Sequence, residues 1–292
     1  MPTHSAEARF FFQAPLHHVD TGTARIAYRR WGQGEPLLFV HGWPFHGFVW
    51  RKLIAPLAER YTCYAIDLPG AGESEWDAGN DFSFHGHAEH LAKFARAVGL
   101  NGYRLIAHNT GATVARRLAI LEGERVKQLV LIDTEIPNHR PPLIPFFQKV
   151  LALPGTNWVF RRLLRSRRFV RSSLGFGGCF VDMRLLDGEF YDELVAPLAA
   201  SKARTEGQIR YARGIDWKQL DALAEGHAQI KGDVLLIWGE GDPFFPIARA
   251  REMIPQFARC AGFVEIAGAK LLPHEEKPGE VLGHVNAFFA TR

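Results

Sequence analysis

The sequence predicts an α/β protein built on a mostly parallel sheet. Three observations carry this expectation. Short apolar runs recur that are too continuous for a half-exposed sheet, helical patterns alternate with them, and one long stretch breaks the alternation with helical segments only.

After the turn-forming Asp20-Thr21-Gly22-Thr23, residues 24–31 read as the second arm of a hairpin. Residues 36–42, 62–70, 103–109, 128–133, 233–239 and 261–268 read as buried strands, giving with the hairpin an eight-stranded sheet. Helices are expected near 48–59, 84–98, 111–122, 247–258 and 279–290, flanking the sheet. Residues 138–226 show no strong strand pattern. A gap that long between two central strands is too long for one loop, so it reads as an inserted helical lid, with 1–137 and 227–292 forming the core.

Composition narrows the function classes. The chain has 292 residues, 47% hydrophobic, with a formal charge of +4. The basic run at 161–171 reads as a solvated helix face with Leu163, Leu164, Phe169 and Val170 packed beneath it, and no nucleic-acid-binding motif accompanies it. Cys63, Cys179 and Cys260 are widely spaced and form no CxxC pair, which points to a reducing compartment and no zinc site. No signal-peptide pattern and no apolar run of about 18 residues is present. The expectation is a soluble cytoplasmic protein that takes a small molecule, with no cofactor, metal, nucleic-acid or membrane partner; the oligomeric state stays open.

Open parallel sheets place their sites beyond the carboxyl ends of the strands. The chain there reads His41-Gly42-Trp43-Pro44, "IDLPGAGES" at 66–74, "AHNTGA" around Asn109, "LIDTEIP" with Asp133, "LIWGEGDPFFP" with Asp242, and "AGAKLLPHEEKP" at 267–278. In this order the motifs resemble the α/β-hydrolase fold, in its epoxide hydrolase and haloalkane or haloacetate dehalogenase branch, from about Phe11 to Phe289.

The resemblance assigns a role to each motif. Ala107-His108-Asn109-Thr110-Gly111 fits the small-x-nucleophile-x-small elbow, where this branch normally carries an aspartate. Asn109 keeps the shape without the charge, and an amide oxygen is a far weaker nucleophile than a carboxylate. Leu271 stands where the base histidine is expected, and leucine takes no proton. His274 is a weak substitute, because its place at the start of the last helix suggests a cap or solvent contact. Asp242 and Asp133 occupy the two familiar acid positions. The amides near His41, Gly42 and Trp43 face a developing oxyanion in the family. Thr110 replaces the halide-holding tryptophan, and Tyr191 and Tyr211 are candidate donors to an epoxide oxygen, with packing anchors as the alternative. His85, His87 and His90 have a metal-like spacing but read as exposed helix histidines, and His108 reads as elbow packing.

Loss of both the nucleophile and the base favours a lidded pocket for a small, mainly apolar molecule, supporting a non-covalent elimination, isomerisation or cyclisation at Asn109. A ligand-binding pseudoenzyme and a hydrolase with a rearranged or altered site remain the alternatives.

Overall fold

The computed structural model describes residues 4–141 and 143–291. Nine strands form one sheet: β1 (His17–Asp20), β2 (Ala24–Trp31), β3 (Glu35–Val40), β4 (Tyr61–Ile66), β5 (Glu75–Trp76), β6 (Tyr103–His108), β7 (Val126–Ile132), β8 (Asp233–Gly239) and β9 (Cys260–Ile266). Their order is β1-β2-β4-β3-β6-β7-β8-β9, with β5 paired to β2 off this path. The eight-stranded path is the predicted sheet, and the two-residue β5 adds a ninth strand. β1, β2 and β5 pair antiparallel, and every pairing from β4 through β9 is parallel.

Helices cover both faces, which is why the central strands are apolar throughout rather than in alternation. Leu37 through Val40 and Leu129 through Ile132 are all buried. In chain order the helices outside the long helical stretch are α1 (Ala6–Gln13), α2 (Arg51–Leu57), α3 (Phe84–Ala97) and α4 (Thr110–Glu122). Helix α1 was not anticipated; Ser5 caps it by accepting the Ala8 N–H. The helix expected over 247–258 breaks in two, because Pro255 cannot continue it: a helix over Ile247–Arg251 is followed by a separate 3₁₀ turn at Ile254–Gln256.

Between β7 and β8 the described residues form only helical segments, beginning with α5 (Leu143–Leu151), α6 (Thr156–Leu164) and α7 (Arg167–Val170). Further on come α8 (Ala196–Ala200), α9 (Lys202–Gly214), α10 (Trp217–Asp221) and α11 (Leu223–Gly226). The chain closes with α12 (Ile247–Arg251), α13 (Pro273–Glu276) and α14 (Pro278–Ala290). Helix α13 is pinned to α2 by a buried ion cluster. Arg51 grips the Glu275 carboxylate through both terminal nitrogens, and Lys52 joins it at 2.8 Å. No helix among the described residues is long and apolar enough to cross a membrane.

Candidate functional site

The turn from β6 into α4 has the elbow conformation expected of it. Asn109 sits at φ 52°, ψ −135°, a region that disfavours side chains other than glycine. Hydrogen bonds hold it there: its N–H donates to the carbonyls of Ile132 (3.1 Å) and Asp133 (3.0 Å), and its carbonyl accepts from Thr134 Oγ1 (3.0 Å). Small neighbours make room. A Cβ on Gly42 would stand 2.5 Å from Asn109 Cβ, and one on Gly111 would strike the His41 carbonyl. The Asn109 carboxamide is 9% exposed, and no protein group among the described residues hydrogen-bonds to it.

The oxyanion side is closed differently from the expectation. The Trp43 amide donates to Thr110 Oγ1 at 2.8 Å, so a side chain from the elbow already occupies it. The Tyr211 hydroxyl donates into the same oxygen at 3.0 Å. Helix α9 reaches the elbow a second time, where Trp43 Nε1 donates to the Gln208 carbonyl at 2.9 Å. The Trp43 ring stacks near-parallel on Phe160 of α6, with centroids 6.5 Å apart. Tyr211 is therefore brought to the site. Tyr191 is not: its hydroxyl donates to the Leu164 carbonyl (3.1 Å), making it a packing anchor.

The two acid positions are both buried and adjacent. Asp133 accepts from the Gly239 N–H at 2.9 Å. Asp242 Oδ1 accepts from the amides of Phe244 (2.8 Å) and Phe245 (3.2 Å), while its Oδ2 is buried with no hydrogen-bond partner among the described residues. The two carboxyl groups lie close enough to act on each other electrostatically. Burial pushes both upward from the ordinary carboxylate range, Asp242 to about 7, and at Asp133 the Asp242 charge adds to the rise. No imidazole is there to be oriented. Leu271 is nearly buried and contributes its carbonyl, which pairs with His108 Nε2 at 2.8 Å.

His274 corrects the expectation of a cap or solvent contact. It lies in α13, a short helix ahead of the last one, and is only 1% exposed. Its ring stacks on Trp50 (4.7 Å) and meets His108 edge-on (4.6 Å), with neither nitrogen hydrogen-bonded. Burial among apolar rings pushes it well below 6.5, helped by the neighbouring His108, Lys52 and Arg51. The other imidazoles are committed too. His41 accepts from the Leu68 N–H (2.9 Å), pairs with the Gly42 carbonyl (3.0 Å), and is pushed down to about 4 by burial. Burial takes His108 to about 3. Of the three histidines on α3, His85 is half-buried, His87 is buried against Tyr211, and His90 is buried and bonds Thr21 Oγ1 at 2.7 Å, so the expectation of exposed helix histidines fails for the two buried ones. Among the described residues no group of three or more His, Cys, Asp or Glu is placed to hold a metal.

One polar cluster escaped sequence reasoning. The Glu135 carboxylate, buried beneath the elbow, accepts from Thr113 Oγ1 (2.7 Å) and Thr134 Oγ1 (3.2 Å). Arg116, fully buried, donates to the same two hydroxyls and to the Glu135 carbonyl. The available signal was an acid between apolar residues in "LIDTEIP". Two surface cavities, of about 590 and 740 Å³, lie elsewhere: Arg29, His46 and Asp67 line the first, Glu35 and Arg104 the second, and Asn109 neither.

Sheet order, elbow and acid loops together define an α/β hydrolase, and the α/β hydrolase fold family matches residues 35–278. The chain belongs to that family. It is 27% identical over 270 residues to haloalkane dehalogenase 2 of Mycobacterium tuberculosis, covering 90% of each chain. It is 24% identical over 298 residues to a cis-3-alkyl-4-alkyloxetan-2-one decarboxylase of Shewanella oneidensis, covering 93% of this chain and 87% of that one. Among solved structures, the epoxide hydrolase CorEH superposes with a TM-score of 0.78 at 22% identity, over 94% of this chain and 98% of that one.

Proposed function

We propose that this protein binds a small, mainly apolar molecule at the elbow, beneath the helical stretch 138–226 acting as a lid. There it transforms the molecule without a covalent enzyme intermediate, by elimination, isomerisation or cyclisation. The observation that carries this reading is Asp242: a buried carboxyl whose Oδ2 meets no donor among the described residues, with burial raising its pKa to about 7. A group with a pKa close to working pH both takes and returns a proton efficiently. The Asn109 carboxamide, free of protein partners, supplies a donor and an acceptor that orient the guest. Covalent ester chemistry lacks support, since Asn109 is uncharged and the nearby imidazoles are buried, neutral and committed to other contacts. One curated relative is itself named for a decarboxylation, a reaction other than hydrolysis.

A panel of epoxides, haloalkanes, β-lactones and hydroxy-ketones, read by mass spectrometry, tests the proposal. A product equal in mass to its substrate, or lighter by an eliminated fragment, is expected. Asp242→Asn should abolish that turnover and remove an ionisation near pH 7 from its profile. A product heavier by one water, an alcohol in place of a halide, or unchanged turnover in Asp242→Asn, would sink the reading. A pseudoenzyme is favoured by one observation, the Thr110 hydroxyl filling the Trp43 amide; ligand-induced thermal stabilisation with the ligand recovered unchanged would select it.

A further inference from the structure

Charge is unevenly placed along the chain. Residues 136–181 hold eight basic side chains and no Asp or Glu, a formal +8 against +4 for the whole chain, so the remainder is net negative. Three of these cations find acids from outside the stretch: Arg140 pairs with Asp221, Arg167 with Asp192 (3.2 Å) and Arg171 with Asp187 (2.6 Å). Arg161 donates to the Ala199 and Ala200 carbonyls. Lys149, Arg162, Arg165 and Arg168 are exposed, with no carboxylate within ion-pairing distance among the described residues.

The same stretch carries seven of the ten large apolar side chains exposed among the described residues. Trp158 is 70% exposed, Phe146 61% and Leu153 60%. On α6 the spacing 158, 159, 162, 163 defines one helical face, and all four residues on it are exposed. Phe160 and Leu164 point the other way, Phe160 onto Trp43 and Leu164 into the core. The outer face of α6 thus presents Trp158, Val159 and Leu163 around the Arg162 guanidinium. Leu163 was expected beneath the basic run and instead lies beside it.

We propose that this face of α5 and α6 seats the protein on an anionic phospholipid surface. Trp158, Leu163 and Phe146 enter the boundary between headgroups and acyl chains, and Arg162, Arg165 and Arg168 meet the lipid phosphates. Charge selects this occupant. A second copy packed through the same face would oppose one set of unpaired arginines with another. A nucleic acid would satisfy the arginines but leave Trp158, Val159 and Leu163 facing water. Such a surface contact requires no spanning helix, and none is present among the described residues.

The test mixes the full chain with large vesicles of phosphatidylcholine, alone or with one lipid in three replaced by phosphatidylglycerol, and reads co-sedimentation and tryptophan emission. Binding is expected to the anionic vesicles only, weakened by salt and accompanied by a blue shift. Reversing Arg162, Arg165 and Arg168 together to Glu should lower partitioning on the order of a hundredfold. Trp158→Ala should keep the native circular dichroism and lose most of the blue shift. Equal binding to both vesicle types, or undiminished binding by the charge-reversed variant, would overturn the proposal. So would binding to single-stranded RNA without vesicle binding, or self-association that Trp158→Ala abolishes while vesicles are ignored.

Discussion

The turn from β6 into α4 and the turn from β9 into α13 are joined by the His108–Leu271 hydrogen bond, and they have kept different things. The first keeps its backbone: a positive φ at Asn109, close glycines and a hydrogen-bonded carbonyl, around a side chain of another chemical class. The second has ordered surroundings, with the Arg51–Glu275 pin on one side and the buried Asp133 and Asp242 nearby, around Leu271. Backbone shape at both turns is imposed by what packs against them. It therefore survives a change in the side chains that carry chemistry.

The contrast is sharpest in the glycines. Gly111→Ala would drive a Cβ into the His41 backbone, where no flexible side chain can give way, and should cost 3 kcal/mol or more, on the order of other overpacked cores. Gly268 in the second turn has φ +64° but open space around it, so Gly268→Ala should cost only about 1 kcal/mol. Urea unfolding of the two variants measures both; similar losses would break the comparison.

Next in size is the acid response. His41, His108 and His274 are neutral in the folded state, with pKa values depressed from 6.5. The unfolded chain binds their protons first, so this contribution is intact above about pH 6.5 and is lost as pH falls below it. Asp133 and Asp242 act oppositely: their raised values favour the folded state below about pH 4, and that contribution is lost as pH rises toward 7. With the histidines in the majority, acidification from pH 7 to 5 should lower the net stability. His274→Phe, which keeps the stack on Trp50, should flatten that acid limb in thermal melts.

Smaller again is the alkaline limb. Asn in place of Asp242 retains an acceptor for the Phe244 and Phe245 amides and cannot ionise. At pH 8 the variant should exceed the parent by about 1–2 kcal/mol, with the gap narrowing as pH falls below 7 and closed only below about pH 4. The smallest stability change, within about 1 kcal/mol, is expected for Asn109→Asp combined with Leu271→His. Because both turns hold their shape, this variant should form an ester with an epoxide or haloalkane probe and hydrolyse it through the restored imidazole, releasing the diol or alcohol read by mass spectrometry. No turnover would mean that the turns no longer face each other productively.

The strands were legible because each buried run is apolar over its whole length, and the elbow because small residues flank Asn109 at fixed spacing. The two-residue β5 carries no such pattern. His274 was misplaced because local sequence shows Pro273 starting a helix but not that the helix lies on Trp50, more than 200 residues earlier in the chain. The Trp43–Thr110 closure escaped for the same reason, since 67 residues separate its partners. Glu135 went unnoticed because Thr113 and Arg116, which surround it, come from another element.

The Thr110 hydroxyl has a consequence for selectivity. Held 2.8 Å from the Trp43 amide by its own helix, it is a tethered competitor present at high effective concentration. A neutral carbonyl oxygen is no better an acceptor than the hydroxyl already there, so it gains nothing by displacing it. Only a guest with a stronger, anionic acceptor evicts Thr110, and doing so leaves the Tyr211 donor in need of a new partner. On the proposed function, the elbow would thus screen its visitors by acceptor strength before any bond is made or broken.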